Sequence, residues 1–168
     1  AVVLKLSGEV FPRYVDNVGS SALQGGSVLS SIIEQIVQLR PTLTLHVVVG
    51  GGNLFRGAQQ APRLGISRES ADLAGMFATI VNGLVLRDLL EARGVKTALF
   101  SGLAIKHALL EEVHPTSFAS AQEHGFTCIF VGGLGIGGIS TDTAAVTYAV
   151  KLGKIPMWKA NSMVLLAR

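Results

Sequence analysis

The segment VVVGGGNLFRG, residues 47–57, constrains the fold of this chain more than any other stretch. Its apolar run has no polar alternation, which is typical of a strand covered on both faces in a parallel sheet. The run stops at three consecutive glycines, and Arg56 follows shortly after. Glycine backbone can approach phosphate oxygens closely, and a guanidinium binds such oxygens in pairs. The segment therefore indicates a buried strand that ends in an anion-binding loop, with an ordinary tight turn as the alternative.

Strand and helix patterns alternate along the rest of the chain. Short apolar runs predict strands at residues 1–6, 44–49, 95–100 and 126–131. Helical spacing predicts helices that begin at Ser27, follow Ser140 and span residues 70–93, 103–113 and 117–124. This alternation, with short connections, predicts an α/β fold. We expect a three-layer αβα sandwich with a mainly parallel central sheet, as a single domain over residues 1–168.

The predicted helix at residues 70–93 is the longest in the chain. Its spacing predicts a buried stripe made of Leu73, Met76, Phe77, Ile80, Leu84 and Val85. Gly75 and Gly83 lie inside the pattern, where each costs up to ~1 kcal/mol relative to alanine. Close packing against another helix, for example across a subunit interface, would explain both glycines.

Composition limits the class of protein. The chain is 49% hydrophobic and 15% charged, which suits a globular domain with a sizeable core. The formal net charge is +3, and no run of basic residues interleaved with aromatics indicates a nucleic-acid groove. The longest uncharged stretch near residues 126–139 is broken by glycines and shorter than the ~20 residues of a membrane-spanning helix. We therefore expect neither a nucleic-acid partner nor a membrane partner.

The cysteine and histidines give no sign of a disulfide or metal site. Cys128 lies in the apolar run FTCIFV, which predicts core packing and fits a reducing cytosol. The four histidines lack paired metal-ligand spacing. The chain starts directly in a strand pattern without a secretion leader, so a cytoplasmic location is expected.

A second glycine-rich loop follows the strand at residues 126–131. It runs through GGLGIGG to Ser140, Thr141 and Asp142, where a helix is predicted to begin. Ser140 or Thr141 can cap that helix, but free amides at a helix N-terminus also attract anions. Two such loops, each after a buried strand, favour a phosphate or sugar site.

Known phosphate motifs do not account for these loops. Residues 133–138 satisfy the dinucleotide pattern G-x-G-x-x-G, but no acidic residue follows about 20 positions later. Neither loop continues into the Lys-Ser or Lys-Thr of a P-loop. The remaining prediction is a phosphoryl-transfer site built from several strand ends, in which Lys5, the backbone of residues 50–52 and Arg56 neutralise phosphate charge.

Four segments together resemble the bacterial uridylate kinases (UMP kinases), which have the amino acid kinase fold. The segments are LKLSGE at residues 4–9, VVGGGNLFRG at 48–57, DLAGMFATIVNGLVLRDLLEARGV at 72–95 and STDTAA at 140–145. The resemblance covers nearly the whole chain to about Asn161. It implies transfer of the ATP γ-phosphoryl group to UMP, with Mg2+ accompanying the ATP. It also implies a cytoplasmic homohexamer with GTP or UTP as effectors.

The resemblance also implies roles for individual residues. The implied ATP-binding residues are Lys5, Leu6, Ser7, Gly8, Gly52, Arg56 and Asn161. The implied UMP-binding residues are Gly51, Asp72, Leu134, Gly135, Ile136, Gly137, Gly138, Ile139, Ser140 and Thr141, with Asp72 on the ribose. The implied catalytic residues are Lys5, Arg56 and Asp142, with no direct protein ligand for the metal. Residues 47–57 would then form the wall between the two nucleotides.

The chain departs from the family pattern in the second loop and near its end. Residues 133–142 read GLGIGGISTD where the family usually has GTGNPFFTTD, so Leu134 and Ile136 replace polar residues. The residues after Asn161 do not continue the family's ATP-binding segment, and we expect that the chain lacks this C-terminal part. Two alternatives stay open: a non-catalytic nucleotide- or oxyanion-binding subunit, and a kinase of this fold with another acceptor.

Overall fold

A single parallel sheet organises the computed structural model, which describes residues 1–14 and 27–160. Within these ranges there are six strands: β1 (Val2–Leu6), β2 (Leu45–Val49), β3 (Thr97–Ser101), β4 (Glu111–Glu112), β5 (Thr127–Val131) and β6 (Met157–Ala160). Their order across the sheet is β4-β3-β5-β2-β1-β6, and each neighbouring pair is parallel. The carboxyl ends of all the strands therefore lie at one edge.

Helices cover both faces of this sheet. In the same ranges the α-helices are α1 (Val28–Leu39), α2 (Gly57–Leu64), α3 (Arg68–Glu91), α4 (Pro115–Glu123) and α5 (Thr141–Lys151). Residues of α1 and α3 share one hydrophobic cluster with the sheet, whereas residues of α4 and α5 share another cluster with its opposite face. The predicted three-layer αβα sandwich with a mainly parallel sheet is confirmed.

Alternating side chains of the inner strands supply the two cores. In β2, Val47 and Val49 pack toward α1 and α3, and Val48 packs in the cluster formed with α4 and α5. All five residues of β2 are buried, as the sequence predicts for a strand covered on both faces. The α1 helix adds Ile32, Ile33 and Ile36 at helical spacing, each about 1.5–3 kcal/mol when fully buried. Cys128 is also fully buried, and the predicted core role is confirmed.

The predicted helix at residues 103–113 is wrong. The chain forms a turn there, with a bridge between His107 and Leu110, and then the short edge strand β4. Side chains compete with the helical hydrogen bonds: Ser101 Oγ accepts from Leu103 N at 3.1 Å, and His107 Nδ1 accepts from Leu109 N at 3.1 Å. Two elements are also present that the sequence patterns did not predict, the helix α2 and the strand β6.

The predicted buried stripe of α3 is only partly correct. Leu73 and Phe77 are 41% and 49% exposed, because the face of α3 that meets the sheet carries Ile80, Leu86 and Leu90 together with small and polar residues. The glycine explanation also changes. A Cβ atom on Gly83 would lie 2.3 Å from Val131 Cγ1, so this glycine allows close approach to a strand rather than to another helix, and Gly75 has open space around it.

The length and apolar composition of α3 would suit a membrane-crossing helix. These properties are weak indications, because the core helix of a soluble protein has them too. In this structure α3 packs along β3 and β5. Ile80, Leu86 and Leu90 of α3 are buried in the hydrophobic cluster on that face of the sheet, whereas Leu73, Phe77 and Val81 are exposed.

A buried histidine connects the two halves of the sheet. His46 in β2 is fully buried, and its Nδ1 accepts a hydrogen bond from Cys128 N at 3.2 Å. On the other side of the ring, His46 Nε2 lies 3.0 Å from the side-chain amide nitrogen of Gln122. Burial lowers the pKa of His46 to about 4.

We expect this histidine to make stability depend on pH. An unfolded His titrates near pH 6.5, so below that value the unfolded chain takes up a proton that folded His46 rejects until about pH 4. Between pH 7 and pH 4.5 the free energy of unfolding should fall by about 2–3 kcal/mol more in the natural protein than in His46→Gln. Urea unfolding at several pH values measures this difference, and equal slopes in both proteins would contradict it.

Candidate active site

The loops that follow β1, β2 and β5 meet at the carboxyl edge of the sheet. In open parallel sheets this edge is where ligands bind. The residues brought together there are Ser7 and Gly8 after β1, Gly50 to Gly52 after β2, and the loop at residues 132–139 after β5. The N-terminus of α5 lies at the same edge, because this helix follows the third loop directly.

The first two loops touch backbone to backbone. A Cβ atom on Gly8 would lie 2.3 Å from Gly52 N, and one on Gly50 would lie 2.7 Å from Gly8 N. Gly51 is confined on its other side, where a Cβ atom would lie 2.8 Å from the Cβ of Ala78 in α3. No side chain fits at these positions without moving backbone, so the glycines are required by close approach.

Two lysines converge on one carboxylate beside these loops. Lys5 Nζ lies 2.8 Å from Asp142 Oδ1, and Lys159 Nζ lies 2.7 Å from Asp142 Oδ2. The parallel register explains the arrangement: Lys5 in β1 is paired with Lys159 in β6, so both side chains leave the sheet on the same face. Asp142 approaches from the first turn of α5, where the helix dipole favours a carboxylate.

Asp142 is held in its ionised form. Burial opposes ionisation, but the hydrogen bond from Lys159 and the interaction with Lys5 outweigh it and lower the pKa of this carboxyl below its usual value. Lys5 forms an ion pair with the other carboxylate oxygen, Oδ1, at 2.8 Å. Lys5 is 7% exposed, and this carboxylate is its counterion.

Arg56 forms the rim of the glycine loop. Its Nε donates to Gly52 O at 3.0 Å, and its guanidinium makes an ion pair with Glu9. Both side chains of that pair are about half exposed. Gly52 and Arg56 line a cleft of about 380 Å3 on one side and a second cleft of about 750 Å3 on the other, so this segment is a wall between two clefts.

Asp72 joins α3 to the third loop. Its Oδ1 accepts from Arg68 Nε at 2.7 Å, and its Oδ2 accepts from Gly138 N at 2.7 Å. Asp72 lines the 380 Å3 cleft together with several of the predicted UMP-binding residues, which are Gly51, Ile136, Gly137, Gly138, Ile139, Ser140 and Thr141. The structure thus brings most of the predicted acceptor site around one cleft.

The third loop depends on glycine for its shape. Gly132, Gly133, Gly135 and Gly138 have φ values of 57° to 76°, which disfavour other residues. Gly135 is also packed tightly, since a Cβ atom there would lie 2.2 Å from Gly102 O. Tyr148 OH fixes the turn further by donating to Gly133 O at 2.8 Å.

Some predicted site residues lie away from the cleft or outside the described structure. Leu134 packs against the hydrophobic cluster under α4 and α5, and neither it nor Gly135 lines the 380 Å3 cleft. The side chain of Leu6 is fully buried in the core, so only its backbone is available to a ligand. Asn161 lies outside the described residues.

Lys159 is the site residue that the sequence analysis missed. Its contact with Asp142 comes from strand pairing between opposite ends of the described chain, which no local motif reveals. A usable signal was present, because a lysine lies in each of the runs VVLKL and MWKA. Once both runs are recognised as adjacent parallel strands, the two lysines fall opposite each other.

These residues do not form a magnesium site of their own. Among the described residues there is no group of three or more His, Cys, Asp or Glu side chains that could hold a metal ion. Asp142, the carboxylate between the loops, faces an ammonium group at each oxygen. A divalent ion at this edge would need ligands from the phosphates that it accompanies.

The fold and the site define a class of protein. It is an αβα protein whose glycine loops and cations at the carboxyl edge of a parallel sheet suit phosphate groups. A model of the amino acid kinase family matches residues 2–161. The chain belongs to this family.

Within this family, the chain is similar to proteins named uridylate kinase or UMP kinase. The chain is 38% identical over 151 residues to a protein named uridylate kinase from Tropheryma whipplei (strain Twist), covering 90% of this chain and 62% of the relative. It is 35% identical over 163 residues to the uridylate kinase of Clavibacter michiganensis subsp. michiganensis (strain NCPPB 382), covering 97% and 65%. The crystal structure of UMP kinase from Ureaplasma parvum superposes with a TM-score of 0.77 at 31% identity, covering 89% of this chain and 63% of that chain. The chain therefore spans slightly less than two thirds of the length of these relatives.

Proposed function

We propose that this protein is a UMP kinase, which transfers the γ-phosphoryl group of ATP to UMP and releases UDP and ADP. The observation that carries the proposal is the group of Lys5, Lys159 and Arg56 around the glycine loops. The uridylate kinases named above, at 35–38% identity, support UMP as the acceptor. They are longer than this chain, so the proposal concerns the whole protein.

The geometry suits phosphoryl transfer by positioning and charge compensation. In the proposed reaction an oxygen of the UMP phosphate attacks the γ-phosphorus, and the bond from that phosphorus to ADP breaks. Lys5, held by Asp142, would neutralise charge on the transferring group, and Arg56 would do so from the rim of the loop. The backbone amides of Ser7, Gly8 and Gly52 would contact ATP phosphates. Magnesium would enter with ATP as part of the substrate.

The cleft of about 380 Å3 is the proposed acceptor site. Its volume falls within the range of small-molecule sites. The Asp72 side chain is 14% exposed and already accepts two hydrogen bonds, so a ribose hydroxyl would use its remaining lone pairs. Ile136 is 61% exposed and Ile139 is 36% exposed at the rim, and they offer the acceptor an apolar surface.

A second candidate is a non-catalytic nucleotide- or oxyanion-binding subunit on the same fold. Leu134 and Ile136 favour it, since neither gives the third loop a polar side chain. A kinase with a different acceptor is a further alternative on the same ground. Turnover distinguishes these candidates from a UMP kinase.

We also propose a homo-oligomer, specifically a homohexamer, in the cytoplasm. Leu73, Phe77 and Val81 form an exposed apolar stripe along α3, at spacings of four residues. These side chains are 41%, 49% and 44% exposed, and packing against a second copy would bury them. We further propose that GTP or UTP acts as an effector. We propose no nucleic-acid partner and no membrane partner.

The direct test is a coupled assay of ADP formation by the complete natural protein. With Mg-ATP we expect turnover with UMP that exceeds turnover with CMP and other nucleoside monophosphates. Faster turnover with another acceptor would favour the alternative kinase. Nucleotide binding by calorimetry without turnover on any acceptor would favour the non-catalytic subunit and would end the kinase proposal.

Arg56→Ala should weaken transition-state stabilisation by about 2–4 kcal/mol, as removal of one preorganised donor does in other enzymes. This corresponds to a loss of roughly 30-fold to 1,000-fold in kcat/KM. Arg93→Ala is the matched control, because Arg93 follows the far end of α3 and donates to Leu89 O. Equal kinetics for Arg56→Ala and the natural protein would remove Arg56 from the mechanism.

Phe77→Lys tests the oligomer. A lysine in the centre of the apolar stripe should oppose association, because its charge would be desolvated at the interface. Light scattering after size-exclusion chromatography should give a smaller mass for Phe77→Lys than for the natural protein. Glu69→Lys, on an exposed residue of the first turn of α3, is the control. A natural protein that is already monomeric would contradict the oligomer.

A further inference from the structure

Helix α3 carries two buried polar side chains at the level of the glycine loops. Thr79 is 3% exposed, and Asn82 is fully buried. Burying a polar group is unfavourable unless its hydrogen bonds are satisfied, so both side chains need partners. Each of them finds a partner in a different glycine loop.

Asn82 uses its full hydrogen-bonding capacity. Its Nδ2 donates to Gly50 O at 2.8 Å and to Asn53 Oδ1 at 2.7 Å. Its Oδ1 accepts from Tyr14 OH at 2.9 Å and from Asn53 Nδ2 at 3.3 Å. The two donors and two acceptor positions of the amide are therefore all occupied.

Asn53 completes a reciprocal amide pair. Its Nδ2 also donates to Pro12 O at 2.9 Å, which connects the loop after β2 to the segment after β1. The pair thus holds the loop at its two ends, at Gly50 through the carbonyl group and at Asn53 through the side chain. Gly51 and Gly52 lie between these anchors, and Gly52 O receives the hydrogen bond of Arg56 Nε at 3.0 Å.

Thr79 makes the corresponding contact with the third loop. Its Oγ1 donates to Met76 O at 2.7 Å and accepts from Gly132 N at 2.7 Å. One rigid helix therefore fixes both loops that line the proposed acceptor cleft. The distance between the loops is set by the spacing of Thr79 and Asn82 along α3.

We propose that Asn82 and Asn53 are positioning residues, which place the backbone of Gly50 to Gly52, and through Gly52 the guanidinium of Arg56, for phosphoryl transfer. This inference rests on the proposed kinase function. Asn82 is fully buried, and the side-chain amide of Asn53 is engaged by Pro12 O and Asn82, so we assign neither a contact with the reacting atoms. Their effect on rate is indirect, and displacements of about 1 Å are large enough to cost a hundredfold in rate.

A double-mutant cycle between Asn53→Ala and Arg56→Ala tests whether Asn53 acts through Arg56. Asn53 is only partly buried. Its replacement by alanine leaves two other hydrogen bonds of Asn82 in place, to Gly50 O and from Tyr14 OH. We expect Asn53→Ala to lower kcat by about tenfold or more in the natural background. In the Arg56→Ala background it should lower kcat by less than about threefold. Equal effects in the two backgrounds would overturn the proposal.

Amide hydrogen exchange of the peptide covering residues 50–57 gives a second readout that needs no activity. We expect exchange there to rise about tenfold in Asn53→Ala, and further in Asn82→Leu where that variant folds. Thr97→Val is the control, because it removes a buried hydroxyl hydrogen bond to Glu91 at the other end of the sheet. It should leave exchange at residues 50–57 and kcat unchanged.

The two readouts separate the failure of this inference from the failure of the proposed function. A natural protein without turnover on any acceptor would contradict the kinase, and exchange at residues 50–57 would still report whether the pair holds the loop. Unchanged exchange in Asn53→Ala overturns the positioning role. Raised exchange with an unchanged kcat in an active enzyme overturns its importance for catalysis.

Discussion

The contact between the loops after β1 and β2 is the constraint on which the site depends. Leu6 and Val49 are paired in register, so both strands end at the same level and their loops leave the sheet side by side. The loops then lie closer together than side chains allow, which restricts Gly8 and Gly50 to glycine. A chain with bulkier residues there would have to separate the strand ends. The cations and the cleft are arranged around this narrow junction.

The charged side chains beside this junction are paired with one another. The cations Lys5, Lys159 and Arg56 face the carboxylates of Asp142 and Glu9, so each positive group has a partner when no phosphate is bound. The two carboxylates differ in how firmly their cationic partners hold them. Asp142 is fixed by two lysines at the start of α5, whereas Glu9 is about half exposed and holds only Arg56. In the proposed function, an incoming phosphate would therefore displace Glu9 from Arg56 more readily than it would displace Asp142 from Lys5.

Local sequence was sufficient for much of the fold and part of the site. The buried strands, the glycine loops and the helix caps depend on residues close together in sequence, and the patterns around residues 47–57 and 140–145 revealed them. The helix predicted at residues 103–113 failed because side-chain hydrogen bonds from Ser101 and His107 stabilise turns that a hydrophobic pattern does not encode. The prediction that Leu73 and Phe77 of α3 are buried failed for a related reason, since helical spacing does not show which apolar face of a helix meets the sheet. Lys159 and the Asn53–Asn82 pair depend on contacts between distant segments, and only the assembled sheet brings them together.

The pairing of β1 with β6 has a consequence for the order of events during synthesis. Lys5 lies in the first strand described and Lys159 in the last, so the two ammonium groups become neighbours only after everything between them has emerged from the ribosome. Contacts of such high sequence separation form late, because the entropy of closing the loop must be overcome first. A partly synthesised chain can bury its central strands, but it cannot yet present both lysines to a phosphate. Nascent chains thus lack one of the two lysines of the proposed phosphate site until β6 has docked.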